Sequence, residues 1–282
     1  MSAQFHLKNK IIFSFFQYLR RRNNEKQLFF SLIVVQMVIF YAIYEFCVIL
    51  PLALTATIIT SIITAVGCMC GFGKFMGYWP GVMWSKFICA ICLCPYKVVG
   101  REKIDKDTSY IFVPNHQGAF DIFLLYAGLN HSFRWMLRKG IRKIPAVGYA
   151  CDKAGHIWVD ERGASGMMHT VRQALKTLQG GTSIIVFPEG TRTLDGHLHR
   201  FKKGAFTLAA MLRMPVVPIT IEGPYHVMKK GSFLIRPHRM KITIHEPLPA
   251  VTREEGNDAG VERLLHSSQR VIAESLNEPV QQ

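Results

Sequence analysis

The sequence predicts an α/β domain whose central, mostly parallel sheet is flanked by helices and preceded by an N-terminal membrane-anchoring helical hairpin. The hairpin is indicated by residues 27–73, which carry a single charged side chain, Glu45. The sheet is indicated by the chain from Tyr96 onward, where short β-type runs alternate with helix-length segments. Such alternation is typical of strands joined by crossover helices.

Composition narrows the class of protein. The chain has 282 residues, of which 49% are hydrophobic and 19% charged, and this excludes intrinsic disorder. The formal net charge of +15 indicates an anionic partner, which can be nucleic acid, a lipid surface or a phosphorylated substrate. A mean hydropathy of +0.17 beside that charge favours lipid.

The cysteines predict neither a disulfide framework nor a metal site. There are seven of them, an odd number, and the chain is not a small secreted scaffold. Cys89, Cys92 and Cys94 have metal-like spacing, but no histidine or acid lies nearby to complete a site. We therefore expect buried free thiols.

Three N-terminal segments precede the main domain. Residues 1–26 hold six basic side chains and one acidic side chain, and we interpret them as a basic interfacial segment. Residues 27–73 exceed the length of one membrane helix, about 20 residues, so we predict a membrane-embedded helix pair that divides near Pro51. Glu45 then lies at its turn, and a buried hairpin of a soluble protein is the alternative. Residues 74–95 are predicted to form an interfacial helix.

Residues 96–282 form the predicted main domain, with at least six strands and four helices. The predicted strands are Tyr96–Val99, Tyr110–Val113, His156–Val159, Ser183–Phe187, Val216–Ile221 and Met240–His245. The predicted helices are Phe120–Leu129, Ala164–Leu178, Gly204–Arg213 and Ala259–Leu276.

The first candidate site motif directly follows a predicted strand. In the segment from Pro114 to Asp121, His116 lies where a strand hands over to a helix, a usual place for active groups in open α/β sheets. Asp121 can reach the imidazole only if the chain bends between them, which Gly118 permits. The pair would then be the base half of a catalytic triad, with a substrate hydroxyl as nucleophile. A purely structural pair is the alternative.

The second candidate motif is Phe187-Pro-Glu-Gly-Thr-Arg192, which also closes a strand. Gly190 allows a close approach of backbone to a ligand, and Arg192 offers a planar fork suited to phosphate. A turn with a surface arginine is the alternative. The sequence lacks the serine-hydrolase elbow, the Walker A loop and the dinucleotide-binding glycine motif.

Taken together, these motifs resemble the glycerolipid acyltransferases, and among them the 1-acyl-sn-glycerol-3-phosphate acyltransferases. His116 and Asp121 match the family's H-x4-D block, Phe187–Arg192 matches its F-P-E-G-T-R block, and Val217-Pro-Ile219 matches its V-P-I block. The resemblance covers about residues 96–250. One block departs from the family pattern, because Asp160-Glu-Arg162 carries an extra residue before the arginine.

The resemblance implies an enzyme that acylates the 2-hydroxyl of lysophosphatidate and gives phosphatidate for phospholipid synthesis. It implies that His116 is the general base and Asp121 its partner. The implied substrate-binding residues are Lys139, Glu189, Gly190, Thr191 and Arg192. Glu189 either organises its loop or contacts the glycerol.

The resemblance also implies the partners. The co-substrate is an acyl thioester of coenzyme A or of acyl carrier protein, with no metal or other cofactor and no nucleic acid. A membrane location with the active site facing the cytoplasm follows from the basic residues that flank both ends of the apolar segment. Two alternatives remain, namely another acceptor, such as glycerol-3-phosphate or a lysophospholipid, and a non-catalytic protein that binds anionic lipid.

Overall fold

A computed structural model of the protein describes residues 25–159, 163–178 and 181–280. The chain divides after Leu52 into two compact units, and the second, from Ala53 onward, contains the sheet. Within the described residues the sheet has seven strands in the order β1-β7-β6-β2-β5-β3-β4. Every neighbouring pair is parallel except β6 and β7, so the predicted mostly parallel sheet is confirmed.

The strands lie close to their predicted positions. Their bounds are β1 Tyr96–Val99, β2 Ile111–Pro114, β3 Phe133–Arg138, β4 Ile157–Val159, β5 Ser183–Ile185, β6 Val216–Glu222 and β7 Met240–Ile244. The sequence interpretation missed β3, because Arg134 and Arg138 interrupt the apolar run that is typical of a buried strand. β2 and β5 are buried along their whole length, as expected for central strands of a parallel sheet that is covered on both faces.

Among the described residues, four helices precede β1 in the chain, and further helices alternate with the strands from β2 onward. Before β1 they are α1 Glu25–Tyr44, α2 Leu50–Gly67, α3 Gly73–Met76 and α4 Trp79–Ile91, and after it α5 Phe120–Leu129, α6 Val147–Lys153, α7 Gly163–Thr177, α8 Gly204–Leu212, α9 Pro224–Val227 and α10 Asn257–Leu276. Leu208 of α8 and Leu264 and Ile272 of α10 are fully buried against β2 and β6 in the main hydrophobic core. Single turns of 3₁₀ helix span Arg101–Lys103 and Lys139–Lys143.

The chain does not turn near Pro51, so the predicted division of the apolar segment there is wrong. The helix continues through Pro51, because Leu50 before it has helical dihedral angles and donates its N–H to the Glu45 carbonyl oxygen five residues back, the bond of a π-helical turn. Glu45 is buried in a π-helical segment, Glu45–Ile49, and does not mark a turn. The run Val35–Met76 is long and apolar enough to cross a membrane by length and composition, with a mean hydropathy of 2.4.

The turn of the helical hairpin lies about twenty residues later than predicted. At Gly71 φ is +92°, which interrupts the helix and is a conformation that glycine adopts readily. From there the chain returns as α4, where Trp84 Nε1 donates to Thr57 Oγ1 of α2 at 3.0 Å. The predicted interfacial helix of residues 74–95 corresponds mainly to α4, and its place in a membrane stays a prediction.

A buried arginine fastens this turn to the sheet. Arg134 of β3 is 6% exposed and donates to the carbonyl oxygens of Phe133 and Gly73 at 2.9 and 3.1 Å. Its guanidinium thus joins the strand that carries it to the start of α3. Residues 1–24, which hold nearly all of the predicted basic N-terminal segment, lie outside the described residues.

Candidate active site

The candidate site lies at the carboxyl edge of the sheet, where ligands bind in open α/β folds. β2 pairs in parallel with β5 on one side and with β6 on the other, and β5 pairs in parallel with β3. The segments that follow β2 and β5 therefore emerge side by side. These segments carry the two motifs that the sequence singled out, which brings His116 next to the loop that contains Glu189.

His116 and Asp121 form a hydrogen-bonded pair. The distance from His116 Nδ1 to Asp121 Oδ2 is 2.6 Å, and the same oxygen accepts the Gly118 N–H at 3.0 Å. The Asp121 side chain is fully buried, and that of His116 is 16% exposed. Because Nδ1 is engaged by the carboxylate, Nε2 is the ring nitrogen left to accept a proton. The bend that this geometry requires occurs before α5, so Asp121 lies in the first turn of that helix.

Two opposing effects act on the Asp121 carboxyl. Burial raises its pKa above the ordinary value, while the hydrogen bonds from the His116 ring and from backbone N–H groups lower it. The partners that favour the charged form are the groups that hold the loop in place. A carboxylate in this position fixes the tautomer of the imidazole and stabilises an imidazolium that forms during a reaction.

Asn115 anchors the loop between β2 and α5 to the neighbouring strand. Its Nδ2 donates to the Ile221 carbonyl oxygen at 3.0 Å, and its Oδ1 accepts the Ile221 N–H at 2.7 Å. The side chain thereby continues the pairing of β2 with β6 by one residue beyond the strand. Gly118 is needed for a different reason, because a Cβ there would lie 2.7 Å from the Pro224 carbonyl oxygen.

Aromatic rings hold the imidazole from one side. The Phe187 ring stacks on the His116 ring with centroids 3.8 Å apart and planes 15° apart, and Trp135 stacks in turn on Phe187 at 5.8 Å. Sequence reasoning gave Phe187 no role in the site. Phe187 lies two residues after the end of β5, beside the loop that follows β2, and this position was the signal that the sequence offered.

His116 opens onto a cavity of about 680 Å³. Its lining is predominantly apolar, with Ile122, Trp135 and Val186 among the residues from the sheet domain. α2 contributes a hydroxyl-bearing face to the cavity, formed by Thr57, Thr60, Ser61 and Thr64. A cavity with mainly apolar walls and a few polar groups is typical of a site for an elongated small molecule.

Glu189 is a buried clamp between two loops. It is 4% exposed, and its Oε1 accepts the His116 N–H at 2.7 Å while its Oε2 accepts the His199 N–H at 3.2 Å. Burial raises the pKa of this carboxyl to about 8. Of the two predicted roles for Glu189, organising the loop agrees with these contacts, and contact with substrate glycerol stays a prediction.

Comparison with known proteins places this site in a family. Residues 95–222 match the family described as Acyltransferase. The solved 1-acyl-sn-glycerophosphate acyltransferase PlsC of Thermotoga maritima has a similar structure, with a TM-score of 0.57 and 27% identity over 81% of this chain and 98% of that one. The chain belongs to the acyltransferase family.

Relatives with assigned activities agree with this membership. A chloroplastic 1-acyl-sn-glycerol-3-phosphate acyltransferase of Arabidopsis thaliana is 32% identical over 68% of this chain and 53% of its own length. A protein of the same description from Chlamydomonas reinhardtii is 28% identical over 86% of this chain and 70% of its own length. The chain spans about half the length of the plant relatives it matches, including one from Brassica napus.

The cations on the cavity wall of this acyltransferase differ from those the sequence predicted. Among the described residues, Arg138 and Lys202 line the cavity. The Arg138 guanidinium donates to the Gly190 carbonyl oxygen, and a Cβ at Gly190 would lie 3.1 Å from Lys202 Nζ. Gly190, which has φ +73°, therefore lies between the two cations, and it is the only residue of the predicted substrate-binding set on the described cavity wall.

The remaining predicted substrate-binding residues lie near the cavity edge or outside it. Thr191 is exposed, and its Oγ1 accepts a hydrogen bond from Lys230 Nζ at 2.9 Å. Arg192 is partly exposed, and its carbonyl oxygen accepts Lys230 Nζ at 3.3 Å. Lys139 is exposed at the start of the 3₁₀ turn that follows β3. Arg162 lies outside the described residues.

Proposed function

We propose that this acyltransferase moves a fatty acyl group from an acyl thioester to the 2-hydroxyl of lysophosphatidate and forms phosphatidate in phospholipid synthesis. The 2.6 Å contact between His116 and Asp121 at the mouth of an apolar cavity carries the proposal. It supplies a general base whose free Nε2 can reach a hydroxyl. Among the described residues of the site, no serine or cysteine lies within hydrogen-bond distance of His116, so the acceptor hydroxyl is the nucleophile.

The reaction is a direct transfer in this proposal. His116 Nε2 takes the hydroxyl proton as the acceptor oxygen attacks the thioester carbonyl carbon. The new C–O ester bond forms, the C–S bond breaks, and the departing thiolate takes the proton back from the imidazolium. Asp121 holds the ring in the correct tautomer throughout, and backbone N–H groups of the loops stabilise the oxyanion.

The acceptor phosphate is held by cations in this proposal. Lys202 and Arg138 at the cavity wall offer a point charge and a planar fork, and both lie beside Gly190. Arg192 and Lys139 add positive charge beyond the cavity wall. The resemblance to the family implies a substrate-binding role for both residues. Holding the phosphate fixes the distance between the acceptor hydroxyl and His116.

The apolar helix gives the site access to lipid. Lysophosphatidate and phosphatidate both reside in a bilayer, and moving an acyl chain through water costs about 0.8 kcal/mol for each CH₂ group. The run Val35–Met76 would anchor the enzyme in the membrane, with the active site on the cytoplasmic side. α2, which belongs to this run, also lines the cavity, so an acyl chain can pass between lipid and site.

An acceptor panel tests the proposal. Purified full-length protein in vesicles is given labelled acyl-coenzyme A or acyl carrier protein thioester together with lysophosphatidate, glycerol-3-phosphate or a lysophospholipid. We expect labelled phosphatidate from lysophosphatidate with one of the donors. Preference for another acceptor would reassign the substrate, and the absence of thioester turnover in folded protein would favour the non-catalytic lipid-binding alternative.

Two variants show whether the product depends on His116. His116→Ala is expected to abolish turnover, and His169→Ala, which alters an exposed histidine on α7, is expected to leave it unchanged. Near-normal activity of His116→Ala would overturn the assignment of the base.

A further inference from the structure

An exposed loop with an apolar tip and a cationic root lies next to the site. We define the docking loop as residues 229–236, Lys-Lys-Gly-Ser-Phe-Leu-Ile-Arg. Phe233 at its tip is 90% exposed and Leu234 is 42% exposed. A single exposed apolar side chain is ordinary, but two adjacent ones with cations on both sides form a pattern that a folded domain does not need for its own core.

The loop is built as an ordered projection. The Ser232 N–H donates to the Lys229 carbonyl oxygen at 3.1 Å, and Gly231 has φ +84°, so the chain turns sharply there. The Arg236 N–H donates to the Val227 carbonyl oxygen at 2.8 Å and closes the base of the loop. Phe233 and Leu234 lie between these two bonds and point away from the core.

The root of the docking loop contacts the segment between His116 and Asp121 and the motif Phe187–Arg192. A Cβ at Gly118 would lie 3.2 Å from the Met228 carbonyl oxygen, so residue 228 packs directly on the segment between His116 and Asp121. Lys230 Nζ donates to Thr191 Oγ1 and to the Arg192 carbonyl oxygen. A surface that meets the docking loop is therefore held beside the site.

The chain segment that contains the docking loop carries only positive formal charges. Residues 223–245 contain five lysines and arginines and no aspartate or glutamate. Arg236 and Arg239 are exposed, and Lys229 Nζ lies 4.9 Å above the Tyr225 ring. Leu194, 70% exposed, belongs to the same region, because its carbonyl oxygen accepts the Tyr225 hydroxyl.

We propose that residues 229–236 dock on an anionic bilayer surface, with Phe233 and Leu234 inserted at the level of the headgroups and the cations on lipid phosphates. An apolar tip ringed by cations is complementary to this surface, since each Lys or Arg near an anionic leaflet adds attraction and each buried apolar group adds more. The proposal rests on the proposed function in one respect, because an anionic lipid acceptor and product explain why the dock adjoins the site.

Fluorescence of the full-length protein in vesicles tests the insertion without relying on activity. Phe233→Trp is compared with Leu175→Trp, a control on α7 at a side chain that is 56% exposed, and with the wild type as background. Brominated phosphatidylcholine is the quencher, with and without phosphatidylglycerol. We expect quenching at position 233 beyond that of the control, and more of it with phosphatidylglycerol. Equal quenching at both positions would overturn the proposal and favour a protein partner for the loop.

Kinetics with two forms of the acceptor separate docking from catalysis. The double variant Phe233→Ser/Leu234→Ser is expected to raise the KM for vesicle-borne lysophosphatidate by about tenfold. Its kinetics with a short-chain, monomeric lysophosphatidate should match the wild type. Equal losses with both forms would overturn the proposal, because the loop would then act on the site itself. If no variant or wild type acylates either form, the proposed function fails, while the quenching result still decides the docking.

Discussion

At the scale of single residues, the site depends on how one carboxylate is shared. Asp121 Oδ2 accepts both the His116 ring N–H and the Gly118 N–H, so one buried oxygen orients the base and closes the loop that carries it. Phe187 then restricts the ring from its face. The imidazole is thus held by an in-plane bond and by stacking, which leaves Nε2 in a fixed position before substrate arrives.

Asp121→Asn tests whether this orientation is catalytic. The neutral amide of asparagine cannot stabilise an imidazolium, and where its NH₂ group faces His116 Nδ1 it favours the wrong tautomer. We expect kcat to fall by about 10²- to 10⁴-fold with little change in KM. Asp107→Asn, at an exposed aspartate, is the control. A loss of less than a few-fold in Asp121→Asn would show that the pair is structural.

Replacing cations one at a time identifies those that hold the acceptor phosphate. Lys202→Gln is expected to raise the KM for lysophosphatidate by roughly tenfold, because a charge-assisted hydrogen bond is worth about 1.5–3 kcal/mol. The KM for the thioester should change much less. Arg192→Gln is expected to have the smaller effect, since Arg192 does not line the described cavity. A larger rise in KM for Arg192→Gln than for Lys202→Gln would instead indicate that Arg192 holds the acceptor phosphate.

At the scale of elements, the strand predictions were most accurate where a buried apolar run is followed by a turn residue such as proline. The strand before His116 and the strand before Phe187 are buried apolar runs that end at proline-containing turns, so both strands were predicted close to their observed positions. β3 was missed because buried Arg134 looks like a surface charge, and its partners are carbonyl oxygens that no sequence pattern reveals. Pro51 was taken for a break, yet the helix continues through it directly after the π-helical segment Glu45–Ile49.

Asn115 is expected to stabilise the fold, because its side chain joins the end of β2 to β6. Asn115→Ala would leave the Ile221 N–H and carbonyl oxygen buried without these partners, at a cost of about 1–3 kcal/mol in the free energy of unfolding. We expect a lower Tm in detergent and a weaker activity at temperatures where the variant remains folded. Thr207→Ala, which removes a bond within α8, should change stability by less than about 0.5 kcal/mol. Equal Tm values for the two variants would contradict this role.

At the scale of the whole molecule, buried neutral histidines set the response to acid. Burial lowers the pKa of His131 to about 4, that of His156 to about 3 and that of His245 to about 4. All three lie in the sheet domain. In the unfolded chain a histidine titrates near 6.5. Between 6.5 and the folded values, the unfolded chain binds protons that the folded chain does not, so stability falls as the pH falls through this window.

His131 gives the sharpest test of this acid response. Its Nε2 lies 2.6 Å from Ser183 Oγ, which also accepts the Tyr110 N–H, so the hydroxyl donates to a neutral ring. Asp105 is the acid whose charge opposes the shift. His131→Gln keeps a hydrogen-bond acceptor but cannot titrate, and a shift of this size corresponds to a loss on the order of 3 kcal/mol between pH 7 and pH 4.

Thermal unfolding in detergent at a series of pH values measures the effect. We expect His131→Gln to be less stable than the wild type near pH 7 but to lose less Tm as the pH falls toward 4.5. His266→Gln, at a side chain that is 70% exposed on α10, should keep the wild-type dependence. If His131→Gln lost Tm in parallel with the wild type, the His131 ring of the folded wild-type protein would take up its proton at the same pH as in the unfolded chain. In that event the hydrogen bond with Ser183 would run in the opposite direction, from the imidazolium to the hydroxyl oxygen.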